Sequence, residues 1–359
     1  MSKVDSPLKI GAVTLKNRIT FAPTVKFDFT DDSGKANDKL IAHYTERAKG
    51  GCGLICVEAT AVVPGGRFCR THMGFWSDDQ IEGHKKITEG CHKYGAVVII
   101  QLNHTGYTTN PGIGPAIGPS TMVKNGFMGE YTTVGMSIDE VHKMQDAFVQ
   151  AAVRAKKAGY DGIQFHSCHG YLINQFMSPA NNQRTDEYGG SAENRARFCT
   201  EMIKKVRELC GPEFLISARI SGYDDDLSDA LAVAEEYVKA GCQYLQVSSG
   251  MTDLKTLPAF PDARVTDIQS LGAYFKEHFK DRVPVSCVGG LNEPEQIRYL
   301  IENDYVDTVD VARAILADPN FANAVINGTK FVKCYGCKAC QFGPFTNHTC
   351  PAEMIRKRH

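Results

Sequence analysis

Apolar positions along the chain fall into short, β-branched runs, each followed by a longer stretch in which apolar residues recur every three or four positions. The runs RITFAP (18 to 23), GLICVEA (53 to 59), AVVIIQL (96 to 102), GIQFH (162 to 166), FLISARI (214 to 220), YLQVS (244 to 248), VPVSCVG (283 to 289) and TVDVAR (308 to 313) read as strands. The stretches 37 to 50, 78 to 94, 137 to 158, 191 to 210, 227 to 240, 264 to 279, 292 to 302 and 318 to 327 read as helices. Several carry start signals, among them Ser77-Asp78 and the capping box Ser137-Ile-Asp-Glu140. Near-continuous apolar strands alternating with helices mean a parallel sheet covered on its outer face, and eight such units close a (β/α)8 TIM barrel. A doubly wound sheet is the competing topology. It would place G-x-G-x-x-G after the first strand, where Pro23-Thr24-Val25-Lys26 stands instead. The pattern assigns residues 1 to 330 to the barrel and 331 to 359 to a short cysteine-rich tail. The connections 103 to 136 and 167 to 190 are long and rich in Gly, Pro, Asn and Thr, which marks them as functional loops.

Composition narrows the function. Lys plus Arg number 40 against 41 Asp plus Glu, so the chain has no basic field for nucleic acid or anionic lipid. The apolar runs fall far short of the roughly 20 residues a membrane helix needs, and the N-terminus MSKVDSPLKIG lacks the apolar core of a signal peptide. A cytoplasmic protein with neither nucleic-acid nor membrane partners is expected. Its 13 cysteines then read as thiols or metal ligands rather than a disulfide framework.

In a barrel the chemistry collects at the carboxyl ends of the strands. The fourth strand ends in FHSCHGY (165 to 171), which brings His166, His169 and Tyr171 to one point. Two imidazoles can donate N–H to developing negative charge on an oxygen, and a tyrosine can deliver a proton. Two other readings stay open: loop residues bonded to backbone, and a His-x-x-His chelate. The third strand ends in Gln101 and the fifth carries Arg219. The seventh runs into Gly289-Gly290 and the eighth into Ala312-Arg313. Glycine N–H groups and a fixed cation after strands seven and eight suit a phosphate. A phosphate at one edge, an amide and a guanidinium across the middle and a histidine pair opposite fit a flat phosphorylated cofactor such as FMN.

The stretches LKNRITFAP (15 to 23), HGYLINQFMSPANNQRTDEYGGSAENRARF (169 to 198) and VARAILADP (311 to 319) resemble the Old Yellow Enzyme family of flavin-dependent ene-reductases, in particular the branch that includes bacterial 2,4-dienoyl-CoA reductase. The resemblance covers residues 5 to about 330. It implies non-covalent FMN, with Pro23, Ala59, Gln101 and Arg219 around the isoalloxazine and Gly290, Ala312 and Arg313 at the phosphate, beside Gly289. It further implies that NADH or NADPH reduces the flavin, that His166 and His169 bind the activating oxygen of a conjugated enone or enoyl substrate, and that Tyr171 is the proton donor. Oxidative amine demethylation and a flavin electron carrier without turnover are the alternatives. The family often forms homo-oligomers. Three positions depart from its pattern. Val25 stands where Thr or Cys bonds the flavin carbonyl, Tyr107 replaces an arginine, and Lys26 precedes Phe27 along the way in for substrate.

Cys334-x2-Cys337-x2-Cys340-x9-Cys350-Pro351 follows the last barrel helix. The spacing suits iron–sulfur ligation or four-thiolate zinc, with free redox-sensing thiols as the third reading. In multidomain relatives a [4Fe–4S] cluster here passes electrons between FMN and an FAD domain. The chain ends at His359, so an external electron donor is the corresponding expectation.

Overall fold

The computed structural model describes residues 2–27, 29–110, 112–126, 129–224, 226–249, 254–337 and 350–356. Eight parallel strands close a barrel: β1 (Ile19–Phe21), β2 (Leu54–Ala61), β3 (Val97–Asn103), β4 (Gly162–Ser167), β5 (Leu215–Ser221), β6 (Tyr244–Ser248), β7 (Val285–Cys287) and β8 (Thr308–Val311). They are ordered around the ring as they occur in the chain, with β8 pairing β1. This is the (β/α)8 TIM barrel expected from the alternation of apolar runs and helical stretches.

Successive side chains on a strand face opposite ways, and here that alternation sorts the chemistry. Val98, Ile100 and Leu102 of β3 pack outward, as do Ile163 and Phe165 of β4 and Ile216, Ala218 and Ile220 of β5, all in one continuous core with the surrounding helices. The inward residues form two storeys. The lower is apolar, with Leu54, Cys56, Val97, Ile99, Leu215 and Tyr244 packed on Ile10 and Leu15 of an N-terminal hairpin (Leu8–Ile10 and Val13–Leu15) that plugs the barrel floor. The upper storey is polar: Gln101 pairs in register with Gln164, His166 with Arg219, Arg219 with Gln246, and Gln246 with Ser286. A register shift between Val57 and Thr60 interrupts β2 near its end, where Glu58 meets the Tyr44 hydroxyl of the first barrel helix (Asp38–Lys49).

Helix starts follow the sequence signals. The Glu140 N–H donates to Ser137 Oγ and the Ser137 N–H to Glu140 Oε2, closing the box that begins helix Ile138–Lys157. The stretch 78 to 94 opens as a 3-10 turn (Asp78–Gln80) before helix Ile81–His92, and 318 to 327 narrows to Phe321–Asn327, preceded by a short helix Arg313–Ala317. Both long loops hold structure of their own: an antiparallel hairpin (Val123–Gly126 and Gly129–Thr132) in the first, a helix (Leu172–Met177) in the second. Among the described residues no helix is long and apolar enough to cross a membrane. Of the tail, a helix Pro351–Arg356 packs against Arg313–Ala317, with Ala352 buried. Cys340 lies outside the described residues.

Candidate active site

Strand β4 ends by turning sharply. His169 adopts a left-handed backbone (φ 64°), and Gly170 follows with φ 73°. The turn folds the His169 ring back, so that its Nδ1 lies 2.9 Å from His166 Nε2 and its Nε2 lies 2.9 Å from Ser248 Oγ at the end of β6. Arg219 donates to the same Ser248 oxygen at 3.4 Å. This network is satisfied when the Ser248 hydroxyl donates to His169 Nε2 and His169 Nδ1–H donates to His166 Nε2. That assignment leaves a proton on His166 Nδ1, a buried nitrogen without a partner among the described residues. Burial, with the neighbouring Arg219 guanidinium, pushes His169 down to about 3. Burial, then His169 and Arg219, holds His166 well below the usual imidazole range. Both rings are therefore neutral at physiological pH.

Tyr171 follows the turn, its ring 4.8 Å from that of His166. Burial raises its phenol above the ordinary tyrosine range, so it is held protonated. Phe68, from the loop after β2, meets Tyr171 edge-on at 4.9 Å, and Phe27 meets Phe68 at 6.3 Å. His72 anchors that loop: its Nδ1 accepts from the Phe68 N–H, and its Nε2 lies against the Ala59 carbonyl. Lys26 is less central than Phe27. Its N–H donates to Glu58 at 3.2 Å, and its Nζ lies over the Phe29 ring. Tyr107 donates to Asn181 Oδ1, which also accepts from Lys124 of the first loop's hairpin, so the residue standing for an arginine ties that hairpin to the site.

On the opposite side a groove is lined by Ala22, Arg219, Gly289, Gly290, Asp310, Ala312 and Arg313. Gly289 has φ 101°, and a Cβ there would stand 2.1 Å from Ile268, so only glycine fits. Arg219 brings a guanidinium whose Nε and one terminal nitrogen meet no hydrogen-bond partner among the described residues. Such a buried cation with free N–H groups suits an anionic or carbonyl-rich ligand. Arg219, the two glycines, Ala312 and Arg313 thus surround one space, and they fit FMN: guanidinium for the ring system, glycine backbone and Arg313 for the phosphate, while Gln101 stands in the polar storey of the barrel. Pro23 lies two residues beyond the end of β1 and Ala59 two residues before the end of β2, and neither lines the groove.

The metal reading of the histidine turn finds a geometric basis, since His166, Cys168 and His169 bring ligand atoms within 4.8 Å of one another. Electrostatics oppose it: burial pushes the Cys168 thiol up to about 12, and the Arg219 guanidinium stands beside it. Among the described tail thiols, Cys334, Cys337 and Cys350 do not converge into a group of that kind. Sequence reasoning passed over Ser248, Phe68, His72, Gln164, Gln246 and Asp310. Three of these are polar residues at alternating positions inside otherwise apolar strands, GIQFH, YLQVS and TVDVAR, and that interruption was the available signal.

Comparison with known proteins agrees with this geometry. Residues 3–330 match the family model described as "NADH:flavin oxidoreductase / NADH oxidase family". An NADPH dehydrogenase of Bacillus pumilus is 37% identical over 325 residues, covering 89% of this chain and 93% of the relative. Among solved structures, a 2-naphthoyl-CoA reductase complex superposes with a TM-score of 0.85 at 25% identity over 94% of this chain, which spans only 54% of that longer one. An Old Yellow Enzyme homologue from Zymomonas mobilis superposes with a TM-score of 0.78 at 25% identity, over 92% of this chain and 94% of its own. The chain belongs to the NADH:flavin oxidoreductase / NADH oxidase family and is an FMN-dependent NAD(P)H oxidoreductase of the Old Yellow Enzyme type.

Proposed function

We propose that the protein is an ene-reductase, saturating the C=C bond of an α,β-unsaturated carbonyl compound of steroid, flavonoid or enoyl type with NADH or NADPH as reductant. The observation that carries this reading is the pairing of a phenol held protonated with a neutral imidazole pair, the Tyr171 ring standing 4.8 Å from that of His166. Bound FMN supplies hydride-transfer chemistry, and Gln101, Arg219, Gly289, Gly290, Ala312 and Arg313 are the residues that would hold it.

The chain's own residues do the rest. His166 presents its Nδ1–H to the substrate's carbonyl oxygen, and His169, donating to His166 Nε2, supports that donor as negative charge develops. Neutral rings suit that task, because His166 donates to substrate and His169 to His166 without either first having to lose or gain a proton. Tyr171 gives its proton to the α-carbon as the β-carbon accepts hydride, and the phenol is replenished from solvent. Phe68 and Phe27 offer apolar faces against which a flat conjugated substrate packs. An electron carrier without turnover would need no proton donor, so the retained Tyr171 favours catalysis.

The tail's four-cysteine spacing supports a thiolate site for [4Fe–4S] or zinc, with an external donor as the cluster's electron source. The described thiols are not gathered, and no step above is routed through them. The free thiols suit a reducing, cytoplasmic setting. The test is a pair of anaerobic assays: NADPH oxidation with a cyclic enone as the oxidant, and reduction of an added dye by a secondary amine in place of NADPH. Turnover with the enone alone is expected, and turnover with the amine alone would replace this reading with amine oxidation.

A further inference from the structure

Beneath the groove, the polar storey of the barrel forms a single directed chain. Gln101 Nε2 donates to Gln164 Oε1 at 2.6 Å, Gln164 Nε2 donates to Gln246 Oε1, and Gln246 Nε2 donates to Asp310 Oδ1 at 2.7 Å. All three amides point their N–H groups the same way, toward Asp310. The reason lies in Asp310 itself. Its side chain is fully buried, and its polar neighbours offer it protons: Gln246, the Ser286 hydroxyl at 3.0 Å, the Thr20 hydroxyl, and the Arg219 guanidinium with a terminal nitrogen at 3.8 Å. An ionised carboxylate only accepts hydrogen bonds, so it dictates the orientation of the first amide and, through it, the next two. Burial raises the pKa of Asp310, while Arg219 and these donors favour the ionised form.

The consequence appears at the far end of the chain. With one Nε2–H committed to Gln164, Gln101 keeps its second N–H and an Oε1 that no donor among the described residues meets. Arg219 is close enough to Asp310 for an ion pair but too far for a good hydrogen bond, so it keeps two unpartnered nitrogens. Gln101 thus offers a carbonyl acceptor and Arg219 N–H donors. That pattern complements the –CO–NH–CO– imide edge of an isoalloxazine. A reversed amide chain would present an N–H against the imide N–H instead.

We propose that Asp310 is a positioning residue: through Gln246 and Gln164 it fixes Gln101 with its carbonyl toward the imide N–H of FMN, and by sharing Arg219 it moderates the positive charge offered to the reduced ring. The proposal rests on the FMN assignment. Asp310 touches neither substrate nor reacting atoms and acts through Gln101 and Arg219.

The experiment uses holoprotein carrying FMN labelled with 15N at its imide nitrogen. In the unmodified protein the imide proton should give a sharp resonance protected from exchange with water. Asp310→Asn can donate to Gln246 and so permits reversal. It should move that resonance toward its position in free FMN and shift the two-electron reduction equilibrium, read against a reference dye, at least tenfold toward reduction, about 30 mV. Gln246→Met cuts the chain while leaving the Asp310 charge. It should change the imide resonance and leave the dye equilibrium nearly where it was, which a general loosening of the fold would not do. An imide resonance unchanged in both flavin-loaded variants overturns the proposal. An unprotected imide proton in the unmodified protein overturns it too, while flavin content, measured separately, decides the FMN assignment.

Discussion

His166 Nε2 and His169 Nδ1 stand 2.9 Å apart, so the two rings share one proton and the pair acts as a unit. The arrangement depends on a left-handed His169 followed by a glycine, which brings the second ring back over the strand end. Ser248 and Arg219 hold it from the neighbouring strands. Replacing His169 with Ala should remove the hydrogen bond that holds His166 in the tautomer donating to the developing oxyanion. A hydrogen bond to a charged group is worth about 1.5–3 kcal/mol, so kcat/KM for the alkene should fall roughly 10- to 150-fold. Steady-state kinetics with an enone measures this, with flavin content confirming an intact cofactor site.

Tyr171→Phe should preserve bound FMN and its reduction by NADPH but slow alkene turnover by about 10²-fold or more, the contribution of a general acid. Stopped-flow measurement of the two half-reactions separates the effects. Undiminished alkene turnover would remove Tyr171 from its role.

The catalytic pH profile follows from the same environment. The phenol of Tyr171 is raised and both histidines are depressed, His169 to about 3, so none of them changes charge between about pH 5.5 and 8.5. The rate of flavin reoxidation by alkene should be flat across that window. A step near pH 6.5 would show an imidazole titrating in the site.

Stability should behave differently. His72, His84 and His104 are buried and depressed to about 4, and His43, His166 and His169 are depressed as well. In the unfolded chain each would bind a proton near pH 6.5. Their depressed folded pKa values therefore give stability that is present above about pH 6.5 and lost as pH falls toward 4, at up to about 1.4 kcal/mol per pH unit for each. Glu58, raised by burial to about 7, works in the opposite sense, adding stability at low pH that is lost as pH rises through its folded value. Asp310 and His92 are raised as well, but the six depressed histidines outnumber these three groups, so Tm should drop between pH 6.5 and 4.5. A Tm constant over that range would contradict the burial of the histidines.

The tail gives a separable prediction. Since the described thiols do not converge and the reaction uses none of them, Cys334→Ser and Cys337→Ser should leave NADPH-driven flavin reduction within about twofold of the unmodified rate, as for other surface changes. A loss of about tenfold or more would put the tail on the electron path.

Much of this architecture was legible in the chain because β-branched runs and helical stretches alternate cleanly, and strand ends mark where chemistry gathers. The cluster at His166, His169 and Tyr171, and the groove at Gly289 and Arg313, followed from that rule alone. The network around them did not. Ser248 and Asp310 act through contacts between strands about 80 and 90 residues apart in sequence, and such pairings depend on barrel register, which periodicity does not determine. Phe68 and His72 sit in a loop with no period to read. Lys26 drew attention by its unusual identity, yet the fold directs its Nζ over Phe29 and its N–H to Glu58.

The most direct test of the central claim is an anaerobic double-mixing experiment, in which the holoprotein is reduced with one equivalent of NADPH and then mixed with 2-cyclohexenone. The account predicts rapid return of the oxidised flavin absorbance, with one equivalent of the saturated ketone formed. Flavin that stays reduced in the presence of the enone, and reoxidises only when oxygen or an oxidising dye is admitted, would contradict it.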